Sequence, residues 1–262
     1  MSSDPEQAIA DRVAVVTGGG RGLGRSIALE LAALGAPVCV VGRDPDPLVE
    51  TVTAIETSGG KALAVPADVA VESEVERLRG EVERGFGSAS ILVCNAGIAG
   101  PTAPIQEISL AEWDETISVN LRSAFLCARS FLPAMLATGR GDLLLLGSVA
   151  ARRPLARRTP YCASKAALSG LTRSLALEVG ESGVRVNCLS PGPVEGARMD
   201  GVFAREAEAT GASIEQARQA YTSKAATGRL VKEEEVVQGA ISLLASTGLT
   251  GVELDLSAGM FA

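Results

Sequence analysis

The chain has 262 residues, of which 47% are hydrophobic, 21% charged and 3% aromatic, and 24 basic against 31 acidic residues leave a formal charge of −7. A chain this long buries most of the surface its unfolded form exposes, so it needs neither disulfides nor a structural metal. Its acidic balance argues against a nucleic-acid partner, which calls for a basic surface. Histidine is absent, which excludes His-based metal sites, Ser-His-Asp triads and imidazole proton transfer. Protons moved near neutral pH must be carried by a carboxylate, Lys, Tyr or Cys with a shifted pKa.

The opening MSSDPEQ is polar and acidic, unlike a secretory signal, and suggests a cytoplasmic protein. Short apolar runs at 12–17, 37–42, 61–66, 90–94, 142–147, 184–189 and 252–256 then predict seven strands. Longer amphipathic stretches at 22–34, 46–58, 71–84, 110–138, 159–180 and 233–245 predict the helices between them. Strand, helix and strand in alternation imply an α/β, Rossmann-type doubly wound parallel sheet, helices on both faces, in a single domain over 1–262. Residues 193–232 break the rhythm: the segment is long and polar, with helical stretches at 202–209 and 213–224, and reads as a substrate lid. Residues 86–106 carry no charge, yet Asn95, Gly97, Gly100, Pro101 and Pro104 interrupt them, so they do not read as a membrane span. The cysteines Cys39, Cys94, Cys127, Cys162 and Cys188 form no CxxC and read as reduced thiols.

The first strand runs into Gly18-Gly19-Gly20-Arg21-Gly22-Leu23-Gly24 and then into a helix. Gly18 permits a tight turn, and Gly22 and Gly24 let the backbone approach a pyrophosphate at the positive end of that helix; Gly20, Arg21 and Leu23 belong to the same binding turn. An NAD site places an acid at the end of the second strand. Here that position is Gly42, followed by Arg43. A guanidinium suits the 2′-phosphate of NADP(H), with Arg21 as a second cation. The alternative, NAD(H), would have Asp44 hold the ribose.

Tyr161 and Lys165 stand at i and i+4, on one face of a predicted helix. A phenol titrates near ~10 in water, and a fixed cation beside it lowers that value. The pair alone would be a solvated surface feature, but Ser148 lies upstream at the end of a strand, where open α/β sheets bind ligands.

From about Asp11 onward the chain resembles the short-chain dehydrogenase/reductase family, with a 3-oxoacyl-reductase-like cast. TGGGRGLG matches the family's TGxxxGxG at Thr17, Gly18, Gly22 and Gly24. Asp68-Val69 looks like its adenine-contacting acid, and Asn95-Ala96-Gly97 like its NAG motif lining the cofactor cleft. Asn120, Ser148, Tyr161 and Lys165 match its catalytic set, and Asn187 with Pro191-Gly192 the segment beside the nicotinamide. The resemblance implies that Tyr161 is the general acid in ketone reduction and the base in alcohol oxidation. It implies that Lys165 lowers the Tyr161 pKa and holds the nicotinamide ribose, that Ser148 hydrogen-bonds the substrate oxygen, and that Asn120 holds a relay water. No metal is called for. One departure is Gly196, where the family usually has a carboxamide-contacting Thr; either the backbone near Val194 suffices or Arg198 closes over the cofactor.

Residues 151–159 hold Arg152, Arg153, Arg157 and Arg158. They read either as an anion site, for a substrate carboxylate, a phosphate or an acidic carrier, or as a solvated loop. The lid holds Met199, Phe203 and Tyr221 among Glu206, Glu208 and Glu215. Helices 110–138 and 159–180 carry apolar residues beyond one stripe (Phe125, Leu126, Phe131, Leu132; Leu168, Leu171, Leu175, Leu177), and with the apolar C-terminus Ala258–Ala262 they point to a homodimer or homotetramer. The leading reading is an NADP(H)-dependent enzyme acting on a small carbonyl or secondary alcohol substrate. The alternative is a dinucleotide-binding sensor or scaffold without turnover, against which the complete Asn120, Ser148, Tyr161 and Lys165 set argues.

Overall fold

A computed structural model of the chain describes residues 4–260. Seven parallel strands form one sheet: β1 (Ala14–Thr17), β2 (Val38–Gly42), β3 (Ala62–Pro66), β4 (Ile91–Cys94), β5 (Gly141–Leu146), β6 (Val184–Pro191) and β7 (Glu253–Leu256), in the order β3-β2-β1-β4-β5-β6-β7. Each lies within two residues of its predicted bounds. The chain winds outward to β3, returns to the middle, and winds the other way from β4. The switch point therefore falls between the C-terminal ends of β1 and β4, where a crevice opens.

Strands buried on both faces explain the unbroken apolar runs. Alternate side chains serve opposite layers. Val15, Cys39 and Val41 pack with helices α4 (Glu72–Phe86), α6 (Ser123–Thr138) and α7 (Thr159–Val179). Ala14, Val16, Val38 and Val40 pack with α2 (Gly22–Ala33), α3 (Pro45–Thr57) and α10 (Glu233–Ala245).

Three features depart from the expected pattern. The polar start contains a short helix (Pro5–Ile9) capped by Asp4, with proline in its first turn, which drives Ile9 into the core. The predicted helix 110–138 is two helices, α5 (Leu110–Ile117) and α6, joined by a π-helical turn at Ser118–Arg122. That turn exists because Asn120 is held by residues outside the helix, described below. In the segment 193–232, α8 (Ala197–Thr210) and α9 (Ile214–Thr222) pack on each other through Phe203, Ala207, Ala217 and Tyr221. Phe203 and Tyr221 meet edge to face at 5.5 Å.

Much of the apolar surplus on α5–α7 is core. Leu126, Phe131, Leu132 and Leu168 are buried, and Leu171 and Leu175 lean on the same cluster, whereas Phe125 and Leu177 stay exposed. Met260 packs within the chain against Val149 and Ala225, so it is not free to cover a partner; Phe261 and Ala262 lie outside the described residues.

Cys39, Cys94, Cys127 and Cys188 are buried and Cys162 is half-exposed. Burial pushes the Cys39 and Cys94 thiols up to about 12 and raises Cys127 and Cys188 as well. Only thiolates alkylate readily. Iodoacetamide should therefore modify Cys162 alone in the folded protein and all five thiols in denaturant, as read by intact mass; a second adduct on the native chain would contradict this burial pattern.

Candidate active site

The glycine turn is fastened to the end of β4 by one threonine and one asparagine. The Thr17 hydroxyl donates to the Val93 carbonyl at 3.3 Å and accepts from the backbone N–H groups of Asn95 and Ala96, both at 3.0 Å. Asn95 Nδ2 donates to the carbonyls of Thr17 at 2.9 Å and Gly18 at 3.2 Å. This ties the two strands that flank the crevice. Gly18 has φ +66° at the turn, and a Cβ on Gly24 would lie 2.2 Å from the Gly18 carbonyl oxygen, so neither position accepts a larger residue without movement. Helix α2 opens at Gly22 with no side-chain cap, so its first N–H groups, those of Leu23 and Gly24 among them, are left for an anion. Space beyond Gly22 is open, whereas Gly20 rests on Pro47.

Arg43 is exposed just past β2 and makes no ion pair among the described residues, while Arg21 pairs with Asp44 at 2.6 Å. The expected second cation is thus bound to the acid that would otherwise hold a ribose. Asp68 accepts from the Ala70 N–H at 2.9 Å, beside buried Val69, at the end of β3.

Across the crevice, α7 carries Tyr161 and Lys165. Lys165 is buried and its Nζ donates to the Leu146 carbonyl at 2.6 Å. Burial pulls the Lys165 pKa down, and the neighbouring Tyr161 works in the opposite direction. Burial would raise the Tyr161 pKa, but the Lys165 ammonium, the Ser148 hydroxyl, Arg198 and Arg158 together hold it below the ordinary phenol value. Ser148 follows β5 in extended conformation, and its oxygen accepts from the Ala150 N–H at 3.2 Å. Its single proton is the one it offers to the Tyr161 oxygen.

Asn120 is buried within the π-helical turn. Its Oδ1 accepts from the Ile98 N–H at 2.7 Å, and its Nδ2 donates to the Ile98 carbonyl at 3.1 Å and to Ser164 Oγ at 3.0 Å. Both amide hydrogens are used, and the side chain clamps the loop after β4. A Cβ on Gly97 would come within 3.2 Å of Asn120 Oδ1 and 3.5 Å of Lys165 Nζ, so these three residues meet at one point.

Asn187 braces the far side: its Nδ2 donates to the Leu249 carbonyl at 2.9 Å and its Oδ1 accepts from Val252 N–H at 3.1 Å. Pro191 ends β6, and Gly192 abuts Ser257 where a Cβ would lie 2.9 Å from its Cα. Val194 bridges to Val231, which anchors the base of the α8–α9 segment. Gly196 caps α8 at φ +128°, a conformation that a threonine resists, which explains why the usual hydroxyl residue is missing here.

The match to the short chain dehydrogenase model spans residues 12–207. The chain belongs to the short-chain dehydrogenase family. It is 36% identical over 240 residues to cis-4-hydroxycyclohexanecarboxylate dehydrogenase of Sinomonas cyclohexanicum, covering 92% of this chain and 91% of that one. It is 39% identical over 205 residues to the chloroplastic NADPH-dependent aldehyde reductase 2 of Arabidopsis thaliana, covering 73% and 75% of the two chains. The fold matches a crystal structure of NAD+-bound xylitol dehydrogenase with a TM-score of 0.91 over 96% of this chain and 99% of that one, at 24% identity. Like its relatives in this family, the chain is an oxidoreductase.

The glycine motif marks Thr17 as one letter among several, although its hydroxyl makes three bonds to β4 and the loop after it. Ser164, the partner of Asn120, had no signal except its place three residues after Tyr161. The four arginines of 151–159 are not one surface: Arg152 reaches Glu253 at 3.1 Å, Arg153 donates to the Lys224 carbonyl at 3.2 Å and also to that of Met260, and Arg158 turns inward onto Tyr161.

Proposed function

We propose that the chain catalyses reversible hydride transfer between NADP(H) and a ketone or secondary alcohol, using Ser148, Tyr161 and Lys165. The observation that carries this reading is the phenol of Tyr161 held below its ordinary pKa beside a buried ammonium, across the crevice from an uncapped glycine turn. When bound, the nicotinamide supplies or accepts the hydride. Ser148 donates its proton to the substrate oxygen; the Ala150 N–H on its lone pair strengthens that donation. Tyr161 gives its proton to the oxygen in reduction and takes it in oxidation. Lys165 keeps the phenolate accessible near neutral pH and is aimed by the Leu146 carbonyl.

The dinucleotide fits the crevice by the chemistry of its lining. The first turn of α2 and the Gly18–Gly24 segment would hold the pyrophosphate, Asp68-Val69 the adenine, and Asn95-Ala96-Gly97 with Pro191, Gly192 and Val194 the nicotinamide side. Arg43 favours the 2′-phosphate because the nearest acid, Asp44, is already neutralised by Arg21. The segment 193–232 acts as the substrate lid of a single catalytic domain, and the exposed Leu110, Phe125 and Leu177 on α5–α7 suit a homo-oligomer.

A panel of small ketones and alcohols, including 4-oxocyclohexanecarboxylate suggested by the Sinomonas relative, should be turned over faster with NADPH than with NADH. Arg43→Ala should lower affinity for NADPH by about tenfold, the worth of one charged hydrogen bond, and leave NADH within about twofold. Equal loss for both dinucleotides would remove the argument for NADP(H).

A further inference from the structure

Arg158 lies beside the reacting phenol without a counter-ion. It precedes α7, and its guanidinium carbon stands 5.2 Å from the centroid of the Tyr161 ring. Nη2 donates to the Ala99 carbonyl at 2.8 Å, while Nε is buried and has no hydrogen-bond partner. No carboxylate forms an ion pair with Arg158 or with Arg198 among the described residues, although the chain carries seven more acids than bases. In the lid, Glu206 is engaged with the Tyr221 hydroxyl, which also feels the Arg158 charge. Arg198, at the start of α8, adds a second positive field that reaches Tyr161 and Lys165. A half-buried guanidinium that no carboxylate among the described residues neutralises, held against the ring that handles the substrate proton, suits an anion that arrives with the substrate.

We propose that Arg158 is a specificity-determining anchor for a carboxylate on the substrate, so that the site takes keto acids and hydroxy acids in preference to neutral ketones and alcohols. The geometry sets the spacing: with the guanidinium over the ring and the carbinol oxygen at the phenol, anion and reacting carbon are separated by only a few bonds. With Nη2 on the Ala99 carbonyl and Nε buried, Nη1 is the donor left to meet a carboxylate oxygen. The exposed Arg152 and Arg153 take no part, since Glu253 and two backbone carbonyls already occupy them.

The proposal rests on hydride transfer at this site, and its test separates the two. Reduction of 4-oxocyclohexanecarboxylate is compared with that of its methyl ester, in wild type and Arg158→Met. Wild type should favour the acid by at least about tenfold in kcat/KM; in Arg158→Met that preference should fall to about twofold through a rise in KM on the acid alone, while any loss in kcat that reaches the reaction through Tyr161 is shared by acid and ester. Arg158→Lys should restore part of the loss. Equal use of acid and ester by wild type, or an equal fall on both in the variant, overturns the anchor; the second pattern would mean that Arg158 serves Tyr161 instead. Binding of cyclohexanecarboxylate and of neutral cyclohexylmethanol to the enzyme–NADP complex is measured in parallel by calorimetry, with thermal melts to show that the variants fold. If no ketone is turned over, hydride transfer fails as a reading. Carboxylate affinity lost in Arg158→Met, with the neutral alcohol unaffected, would still uphold the anchor, and unchanged affinity would overturn it.

Discussion

Tyr161→Phe should abolish turnover while leaving dinucleotide binding intact. The substitution removes one oxygen from a half-buried ring and leaves the apolar body in place, so the fold and the crevice persist. What disappears is the group proposed to exchange a proton with the substrate oxygen. General acid–base groups contribute roughly 10²–10⁴-fold, and no imidazole exists anywhere in the chain to substitute for it. Steady-state assays should therefore show a fall of about that size in kcat, with the dissociation constant for NADPH, read by fluorescence titration, within about twofold. Retained turnover would return the site to the sensor or scaffold reading.

The pH dependence of the wild type carries the same argument from another side. Tyr161 is held below the ordinary phenol pKa. Alcohol oxidation needs the phenolate, so its rate should rise with pH and level off below ~10, where a free tyrosine titrates. Ketone reduction needs the phenol, so its rate should fall through the same pKa. Lys165→Met removes the principal attraction that opposes burial, and both profiles should move to higher pH.

The sequence carried the sheet because the apolar runs are parallel strands covered on both faces, and a run of four to six such residues has little else to be. It also carried the constellation, since spacing puts Tyr161 and Lys165 on one helical face and Ser148 follows a strand end. It did not carry the π-helical turn. Nothing in the periodicity of 110–138 marks an extra residue, because the cause is the hold on Asn120 by Ile98 and Ser164, which are distant in the chain. The basic segment stays open between an anion site and a solvated loop for a related reason. Composition counts four arginines alike, whereas Arg152 and Arg153 go to Glu253 and to backbone carbonyls and Arg158 lies against the Tyr161 ring. A charge count has no way to single out Arg158.

The opposite end of the sheet holds a charge cluster that alternation also concealed, and it should dominate stability. Arg12 and Asp142 open two of the predicted strands, and Arg185 stands second in a third. In the fold, Arg12 Nη2 meets Asp142 Oδ2 at 2.6 Å, and Arg185 Nη2 meets Asp142 Oδ1 at 2.6 Å. Asp142 and Arg185 are register partners across β5 and β6, and Arg12 is further bound by the Ser90 carbonyl at 2.8 Å. Burial raises the Asp142 pKa and lowers that of Arg12, with their mutual attraction opposing both shifts. Asp142→Ala leaves two guanidinium groups facing each other with their shared anion gone. Breaking a buried pair in this way costs about 3–5 kcal/mol, a large share of the stability of any domain. The denaturant midpoint should drop accordingly, with little change in the slope, while kcat at low temperature stays near wild type because the crevice lies at the other ends of the strands. Arg12→Met combined with Asp142→Leu should recover much of the loss, since an apolar pair of similar volume replaces charges that burial penalises. An Asp142→Ala midpoint equal to wild type would mean that water reaches this cluster and that the ion pairs contribute little.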